Sequence, residues 1–434
     1  MSSPGLYIVN DITIYLLRVV REQPRHTNQK GGRMSAVVSI GTYLPPWQVG
    51  GKRVAGPDED AVTMAVAAGR AADPAGAATR VVVVSREFPL LEGGNGAVLL
   101  AGLSLPAEVA VTEVLGGAPT VLDLVAEAFE STLLIAVDES GGAAALLTGT
   151  SGPRLRVLAR QSRSLPTVAR GSDGVRHVYG DARLERNLGV QGALAQLNLS
   201  GPGPVVGIVG AKAAQLDSQW HASAAITEFA SSGAAVLRSI AEGIERRAAG
   251  WIVAVEQSSV TVAELSLGQG SALVVRDEPP ARELPPVICT SGTGIPISLA
   301  AYARAFDSKL RWEAAIFAER PGIDARPVFP PRVRVDSAGE LVAPYGMQPL
   351  PRSGTVYTHT TVRIAVPDLP GPYSLAVVQL DESPVRVLLK VTGVPAGEVA
   401  VGQSGAVVFR RIAVRTGIPD YGYAFWPGKQ GVAA

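Results

Sequence analysis

The sequence predicts an α/β protein with a duplicated strand–helix organisation, followed by a small C-terminal β-barrel. Three observations predict this fold class. Short apolar strands alternate with helices from Met34 onward, and a similar succession returns after about residue 190. The C-terminal part then consists of short β-rich runs separated by Gly and Pro turns.

The composition excludes several classes of protein. The chain has 434 residues, of which 47% are apolar and 18% charged, so it has room for two or three folded domains. Its net charge of +1 gives no reason to expect nucleic acid or an anionic membrane as a partner. Cys289 is the only cysteine, which excludes intrachain disulfides and thiolate-based metal clusters, and we predict a cytoplasmic protein. No apolar run is long enough to span a bilayer.

The first 33 residues differ from the rest of the chain. Asp11 and Glu22 and the lack of a small-residue cleavage site argue against a targeting peptide. We predict that translation begins at Met34, because Lys30-Gly31-Gly32-Arg33 can be encoded by a purine-rich run of the kind that precedes a bacterial start codon. Residues 1–33 would then be an extra segment that is not native.

The first half alternates strands and helices in order. "MSAVVSIGTYLP" is a strand, and "GPDEDAVTMAVAAGRAA" is a helix whose N-terminal turn is favoured by Asp58, Glu59 and Asp60. "TRVVVVS" reads as a strand buried on both faces. The remaining elements are the helix "GGNGAVLLAGLSL", the strand "AEVAVTEV", the helix "PTVLDLVAEAFES" and the strand pair "TLLIAVDE" and "GAAALLTGT".

The second half repeats this order of strand, helix and strand pair. "GVQGALAQLNL" is predicted to be helical, "GPVVGIVG" a buried strand, "SSGAAVLRSIAEGIERRAA" a helix, and "GWIVAVEQ" and "TVAELSLG" two strands. We interpret the repetition as a structural duplication. The predicted divisions are 34–285 for the duplicated domain, 286–330 for a connector with the helix "SLAAYARAFDSKLRWEAAIFAE", and 331–434 for the barrel.

These parts resemble known families. Residues 34 to about 280 resemble the thiolase superfamily, on the branch of hydroxymethylglutaryl-CoA synthase and the third class of ketoacyl-carrier-protein synthases. The matching stretches include "GTYLPP", "EVLGGAPTVLDL", "GGAAALL" and "SSGAAVLRSIAEGI". "FPPR", "SGTVYTHTTV" and "FWP" resemble an acyl-CoA-associated OB-fold family. The resemblance implies a five-layered α-β-α-β-α fold followed by an OB-like barrel.

The resemblance also implies a catalytic site that this chain lacks. Active members carry a cysteine nucleophile, a histidine and an asparagine, and the matching positions here are Gly117, Gly210 and Ser231. Nucleophile and oxyanion donors work as a unit, so we predict no standard acyl-transfer site. Glu87 and His221 are weaker candidates for a substitute base. We interpret Cys289 as buried, inert packing.

The resemblance to the OB-fold family has a second consequence. Relatives often carry a zinc ribbon before the barrel, and Val335 and Ala338 stand where its cysteines would be, so no metal site is expected. Because the resemblance implies a nucleotide-bearing ligand, Lys212, Arg332 and Arg352 are candidates for binding CoA phosphates. No resident cofactor is expected; the expected ligand is acyl-CoA or the phosphopantetheine of a carrier protein.

Three functions remain open from the sequence. The first is a non-catalytic thiolase-like subunit that forms a dimer or hetero-oligomer with an active thiolase or ketosynthase and helps to bind acyl-CoA or acyl-carrier-protein cargo. The second is an active acyltransferase or condensing enzyme with a nonstandard site. The third is a free-standing acyl-CoA carrier.

Overall fold

The computed structural model describes residues 36–430 except 139–140, 163–167, 172–173, 180, 182, 184–188, 198, 200–202, 217–219, 221, 223–224, 229–231, 258, 269, 295–306 and 416. Residues 34–434 form one compact unit. The prediction that residues 1–33 are not native lies outside the described residues. All described strands and helices belong to the unit of residues 34–434.

The first half contains seven strands and three helices. They are β1 (Ala36–Tyr43), β2 (Trp47–Val49), β3 (Lys52–Val54), α1 (Ala61–Ala72), β4 (Arg80–Ser85), α2 (Asn95–Leu103), β5 (Ala110–Leu115), α3 (Ala118–Glu127), β6 (Thr132–Asp138) and β7 (Gly142–Gly149). Helix α1 begins at Ala61, directly after the acidic run, and Asp60 is its N-cap residue. Asp60 accepts a hydrogen bond from the Thr63 backbone N–H at 3.0 Å, and Thr63 Oγ1 accepts one from the Asp60 N–H at 2.8 Å.

The second half contains the same kinds of element. They are β8 (Arg154–Gln161), β9 (Val168–Arg170), β10 (Arg176–Val178), α4 (Val190–Ala195), β11 (Val205–Val209), a 3₁₀ turn (Ala213–Gln215), β12 (Ile226–Glu228), α5 (Gly233–Glu245), β13 (Gly250–Glu256) and β14 (Ser259–Ser266). Ser232 caps α5, since its hydroxyl accepts a hydrogen bond from the Ala235 backbone N–H at 3.2 Å.

The two halves have the same sheet topology. In the first, the strands lie in the order β5-β4-β6-β7-β1, and in the second β12-β11-β13-β14-β8. When the five strands that form the sheet of each half are numbered in chain order, both halves have the spatial order third, second, fourth, fifth and first. In both halves the first three strands of this order are parallel to one another, and the last two pairings are antiparallel. A single pair, Ala36 with Arg154, joins β1 to β8. The predicted duplication is confirmed.

Helices α3 and α5 form the layer between the two sheets. Both helices pack against strands of both halves as well as against each other. Gly233 at the start of α5 permits this approach, because a Cβ atom there would lie 2.5 Å from Val121 Cγ2 of α3. Helices α1 and α2 cover the outer face of the first sheet, and α4 packs outside the second. The five predicted layers are therefore present.

A connecting region of short strands follows. It contains β15 (Leu273–Asp277), β16 (Arg282–Glu283), β17 (Glu313–Ile316), β18 (Arg334–Val335), β19 (Leu341–Val342) and β20 (Gly346–Pro349). The predicted helix over 298–319 is wrong at its C-terminal end. There the chain turns at Trp312, whose φ is 61°, and Glu313–Ile316 pairs with β20. Burial of Trp312 explains this turn, since its indole N–H donates to the Pro351 carbonyl at 2.9 Å.

The C-terminal barrel is closed by β21 (Ser353–Val362), β22 (Tyr373–Leu380), β23 (Arg386–Val391), β24 (Ser404–Arg415) and β25 (Ile418–Pro427). They lie in the order β21-β22-β23-β25-β24, and β24 returns to β21. The alternating burial of β22, with every second residue buried, is typical of a barrel strand that has one face in the core. The predicted small barrel is confirmed.

A buried polar network attaches the barrel to the first half. Arg410 of β24 donates a hydrogen bond to the Tyr43 hydroxyl at 2.8 Å, and this hydroxyl in turn donates to the Glu59 carboxylate. Arg410 also lies 3.3 Å from Glu59 and 3.9 Å from Asp58. Asp58 and Glu59, which the sequence placed in the first turn of α1, therefore precede that helix and bind the barrel instead.

Candidate functional site

The turn that leads into α3 is the place where the resemblance puts a nucleophile. Gly116 and Gly117 connect β5 to the helix, and the Gly116 N–H donates to the Ser85 carbonyl at the end of β4 at 3.1 Å. Gly117 is the N-cap residue, so it has no side chain to satisfy the free N–H groups of the first turn. These N–H groups and the helix dipole make the turn favourable for a negative charge.

An ion pair occupies the space above Gly117. Arg86, which follows β4, and Glu256, the last residue of β13, lie 2.8 Å apart between Nη2 and Oε1. A Cβ atom on Gly117 would lie 2.2 Å from Glu256 Oε2 and 2.7 Å from Arg86 Nη2, far inside van der Waals contact. With this pair in place, the turn has room only for glycine. The negative charge beside the N-terminus of α3 is therefore a carboxylate paired with a guanidinium.

Burial and the neighbouring Arg86 act in opposite directions on the pKa of Glu256. Burial raises the pKa of the Glu256 carboxyl above its ordinary value, while the charge of Arg86 and its hydrogen bond act in the opposite direction. Sequence reasoning missed both residues. Each stands at the end of a predicted strand, but nothing in the sequence shows that strands from different halves bring them to one turn.

The other predicted catalytic positions are spread over the second half. Gly210 follows β11 with φ of 79°, a left-handed conformation that suits glycine. Ser231 and His221 lie outside the described residues. Glu87 is exposed, and its carboxylate lies 3.1 Å from Arg170 of β9, as a surface ion pair. Among the described positions, only Gly117 lies at the α3 turn.

Of the three candidate CoA-binding cations, the structure places Arg352 alone in the large cavity beside the barrel. Lys212 is exposed beside the 3₁₀ turn, where its backbone N–H donates to Gln215 Oε1 at 2.8 Å. Arg332 is also exposed. Arg352 lines a cavity of about 610 Å³ between α1, the end of α2 and the barrel. Neither Lys212 nor Arg332 lines this cavity.

Cys289 is exposed rather than buried, so that part of its interpretation is wrong. It follows Ile288, which bridges to Gly371 near the start of β22, and this places it at the barrel surface. There it lines a cleft of about 290 Å³ together with Lys390 and apolar side chains. The cleft lies between the barrel and first-half residues such as Trp47 and Asp58, and neither Arg86 nor Glu256 lines it.

The hairpin before the barrel is held without thiolates. Asp336 Oδ1 accepts hydrogen bonds from the backbone N–H groups of Ala338 at 2.9 Å and Glu340 at 3.0 Å, which closes the turn between β18 and β19. A small cluster of buried side chains supports the hairpin and its neighbours: Ala315, Phe317, Ile323 and Val342. Within the part of the chain that the structure describes, no three His, Cys, Asp or Glu side chains are grouped to hold a metal.

The helices of the described ranges give no candidate for a membrane span, since none combines sufficient length with sufficient apolar character. This finding concerns helices alone.

One protein-family model matches part of the barrel. Residues 347–410 match the family model of the C-terminal OB-fold domain of ChsH2, and this match covers β21, β22 and β23 and part of β24. No curated protein matches the chain.

Several solved structures are similar to about half of the chain. A 3-oxoacyl-(acyl-carrier protein) synthase from Burkholderia xenovorans is 14% identical over 56% of this chain and 97% of its own, with a TM-score of 0.42. OleA from Xanthomonas campestris, solved with lauric acid and lauroyl-CoA, is 13% identical over 54% and 98%, with a TM-score of 0.43. A hydroxymethylglutaryl-CoA synthase solved with CoA is 11% identical over 56% and 83%, with a TM-score of 0.41.

These proteins belong to the branch that the sequence resembles. The assignment of a thiolase-like α/β fold followed by an OB-fold barrel rests on the duplicated strand order, the middle helical layer and the closed barrel of this chain.

Proposed function

We propose that this chain is a non-catalytic thiolase-like subunit, which assembles with an active thiolase or ketosynthase and helps to bind its acyl-CoA or acyl-carrier-protein cargo. The observation that carries the proposal is the Arg86–Glu256 ion pair over Gly117. An acyl-transfer site needs a nucleophile at a turn that is open to substrate. Here the turn has no side chain of its own, and the space above it is filled by a salt bridge.

The outer edge of the first sheet supports assembly with another chain. Strand β5 is the last strand at that edge, and in the described structure it pairs with β4 alone. Leu115 is 73% exposed, and Val111 and Val114 are partly exposed. A long exposed edge normally carries a charge or a proline that discourages pairing. The one charged residue of β5 is Glu113.

The Glu113 carboxylate is already committed within the chain. It accepts hydrogen bonds from the Gly96 backbone N–H at 2.9 Å and from Asn95 Nδ2 at 2.8 Å, at the N-terminus of α2. Its charge therefore stabilises the N-terminus of α2. It discourages strand pairing at the β5 edge less than a carboxylate that is free to point into solvent would. We infer that β5 pairs with the corresponding edge strand of a thiolase-like partner, which would extend the sheet across the interface.

Co-expression tests this assembly. The partner to use is a thiolase-like protein that retains the active-site cysteine, such as one encoded by an adjacent gene. We expect the two chains to co-purify and Leu115→Lys to abolish co-purification, because a lysine would place charge in the apolar edge. Leu341→Lys is the matched control, since Leu341 on β19 is 78% exposed and lies outside the sheet. Equal loss with both variants, or no complex with the parent chain, would contradict the proposal.

A second candidate function has one observation in its favour. Burial raises the pKa of Glu256, and a carboxylate of this kind beside a helix N-terminus is a reasonable general base. An acyltransferase or condensing enzyme with a nonstandard site would then turn over acetyl-CoA or malonyl-CoA without a partner. Turnover by the isolated chain that is lost in Glu256→Gln would establish this function and remove the first.

A further inference from the structure

The cavity of about 610 Å³ between the first half and the barrel has an unusual charge arrangement. Helix α1 contributes Arg70 to its wall, the residue after α2 contributes Ser104, and the strand-connecting segment before β21 contributes Arg352. The rest of its lining includes apolar side chains such as Leu103 and Phe409. Its volume is within the range of small-molecule sites.

Arg70 and Arg352 converge on one hydroxyl group. Arg352 Nη2 donates to Ser104 Oγ at 3.0 Å, and Arg70 Nη1 approaches the same oxygen at 3.4 Å. Ser104 has φ of 60°, and its backbone ends α2 in the left-handed conformation. The Arg352 guanidinium is also held over the Tyr423 ring at 4.8 Å and donates to the Tyr423 hydroxyl at 3.0 Å. The two guanidinium groups are thus held close together.

The other charged groups that line the cavity are neutralised in pairs. Lys429 forms an ion pair with Asp277. Arg410 is balanced by Glu59 and, at a longer distance, by Asp58. These contacts leave Arg70 and Arg352 as the charged groups of the lining without an acidic partner among the described residues.

The two arginines therefore carry an excess of positive charge in a half-buried place. Burial and the nearby charge of Arg352 lower the pKa of Arg70 to about 10. Two like charges held together in this way destabilise the empty protein unless a ligand compensates them.

We propose that Arg70 and Arg352 form a binding site for the phosphate group of a phosphorylated small molecule that occupies this cavity. Two planar guanidinium groups, each with several N–H donors, match the oxygens of a phosphate, and the apolar walls suit the organic part of the molecule. If the cargo role proposed above is correct, the ligand is a nucleotide of the coenzyme A type. The site itself does not depend on that role.

Calorimetric titration of the full chain tests the site with five compounds: coenzyme A, dephospho-coenzyme A, ADP, inorganic phosphate and pantetheine, which has no phosphate. We expect saturable binding of coenzyme A, and binding at least about tenfold weaker in Arg70→Gln and in Arg352→Gln. Pantetheine should not bind. Arg363→Gln is the matched control, because Arg363 is exposed and does not line the cavity, and the affinity of this variant for coenzyme A should equal that of the parent.

Stability without ligand separates a binding role from a structural one. Because the two guanidinium groups repel and Arg70 makes only one long contact, to Ser104 at 3.4 Å, the melting temperature of Arg70→Gln should be at or above that of the parent chain. Binding of ADP or phosphate that depends on both arginines supports the site even if no acyl-CoA partner exists. Two results would overturn the proposal. One is that no phosphate compound binds with a dissociation constant below about 1 mM; the other is that both Gln variants bind coenzyme A as tightly as the parent. Both Gln variants should still co-purify with the thiolase-like partner. A failure of the parent chain to form that complex would contradict the proposed function and leave the phosphate site standing.

Discussion

Arg86 and Glu256 form a 2.8 Å ion pair whose two residues come from the two halves of the duplicated fold. Arg86 follows a strand of the first half, and Glu256 ends a strand of the second. The pair lies against Gly117 at the start of α3. It therefore fills, from both halves at once, the space at the turn where the sequence resemblance puts a nucleophile.

Gly117→Ala should destabilise the chain. The new Cβ would lie 2.2 Å from Glu256 Oε2, so the ion pair must move; because the obstructing atoms are the ends of two flexible, partly exposed side chains, the cost should be that of a displaced surface ion pair, up to about 1 kcal/mol. Denaturant unfolding measures the change. Gly346→Ala is the control, since a Cβ there has open space, and it should be neutral.

The cause of that loss can be checked with a double mutant. In a Glu256→Ala background the obstructing carboxylate is gone, so Gly117→Ala should cost clearly less than in the parent. An equal cost in both backgrounds would show that the ion pair is not what excludes a side chain.

The Glu256 carboxyl should titrate above its ordinary pKa, because burial is the largest influence on it. Its stabilising contribution is then present below the pKa of the unfolded chain, and it is lost as pH rises through the higher pKa of the folded chain. The free energy of unfolding of the parent, measured relative to Glu256→Gln, should therefore fall as pH rises through this window.

Removal of Arg86 sharpens this test. Arg86→Met takes away the charge and hydrogen bond that lower the pKa of Glu256, so NMR titration should find a still higher value. A pKa at or below the ordinary glutamate value in either protein would contradict the described burial.

Arg410→Met should strongly destabilise the attachment of the barrel. The variant leaves Glu59 buried beside Tyr43 without its guanidinium, and breaking a buried pair from one side costs about 3–5 kcal/mol. Arg386→Met on β23 is the control, because Arg386 is exposed and stacks on Tyr357 at the surface. Thermal unfolding followed by tryptophan fluorescence compares them; equal melting temperatures for the two variants would argue against the network.

Gly233→Ala tests the middle layer. The added methyl group would lie 2.5 Å from Val121 Cγ2, so α3 and α5 must separate, at a cost of roughly 1–3 kcal/mol. Combining it with Val121→Ala should restore part of the lost stability. No loss in the single variant would contradict the close packing of these helices.

The sequence was sufficient for the local elements of the duplicated domain. The acidic run Asp58–Asp60 predicted the start of α1 to within three residues, and the apolar run around Val83 predicted a strand buried between helical layers. Composition also placed the barrel, since the four β-rich runs between Gly and Pro turns correspond to β21–β24, whereas the last strand, β25, was not predicted. These signals are local, and each depends on a few neighbouring residues.

Contacts between residues far apart in the chain could not be predicted from the sequence. Arg86 and Glu256 are far apart in the chain, and only the strand order of both sheets brings them to Gly117. The helix predicted through Glu313 failed because pairing of this stretch with β20 outweighs its local helix propensity. Cys289 was expected to be buried because cysteine is usually a buried residue. Its exposed position is instead set by the bridge between the preceding residue, Ile288, and Gly371.

Intact-protein mass spectrometry tests the central claim most directly. The isolated chain and its complex with a cysteine-bearing thiolase-like partner are each incubated with acetyl-CoA and malonyl-CoA, and adducts are assigned to each chain. We predict that the isolated chain gains no acyl group and shows no turnover, and that in the complex only the partner is acylated. An acyl adduct on this chain, at Glu256, Cys289 or any other residue, together with turnover in the absence of a partner, would contradict the account.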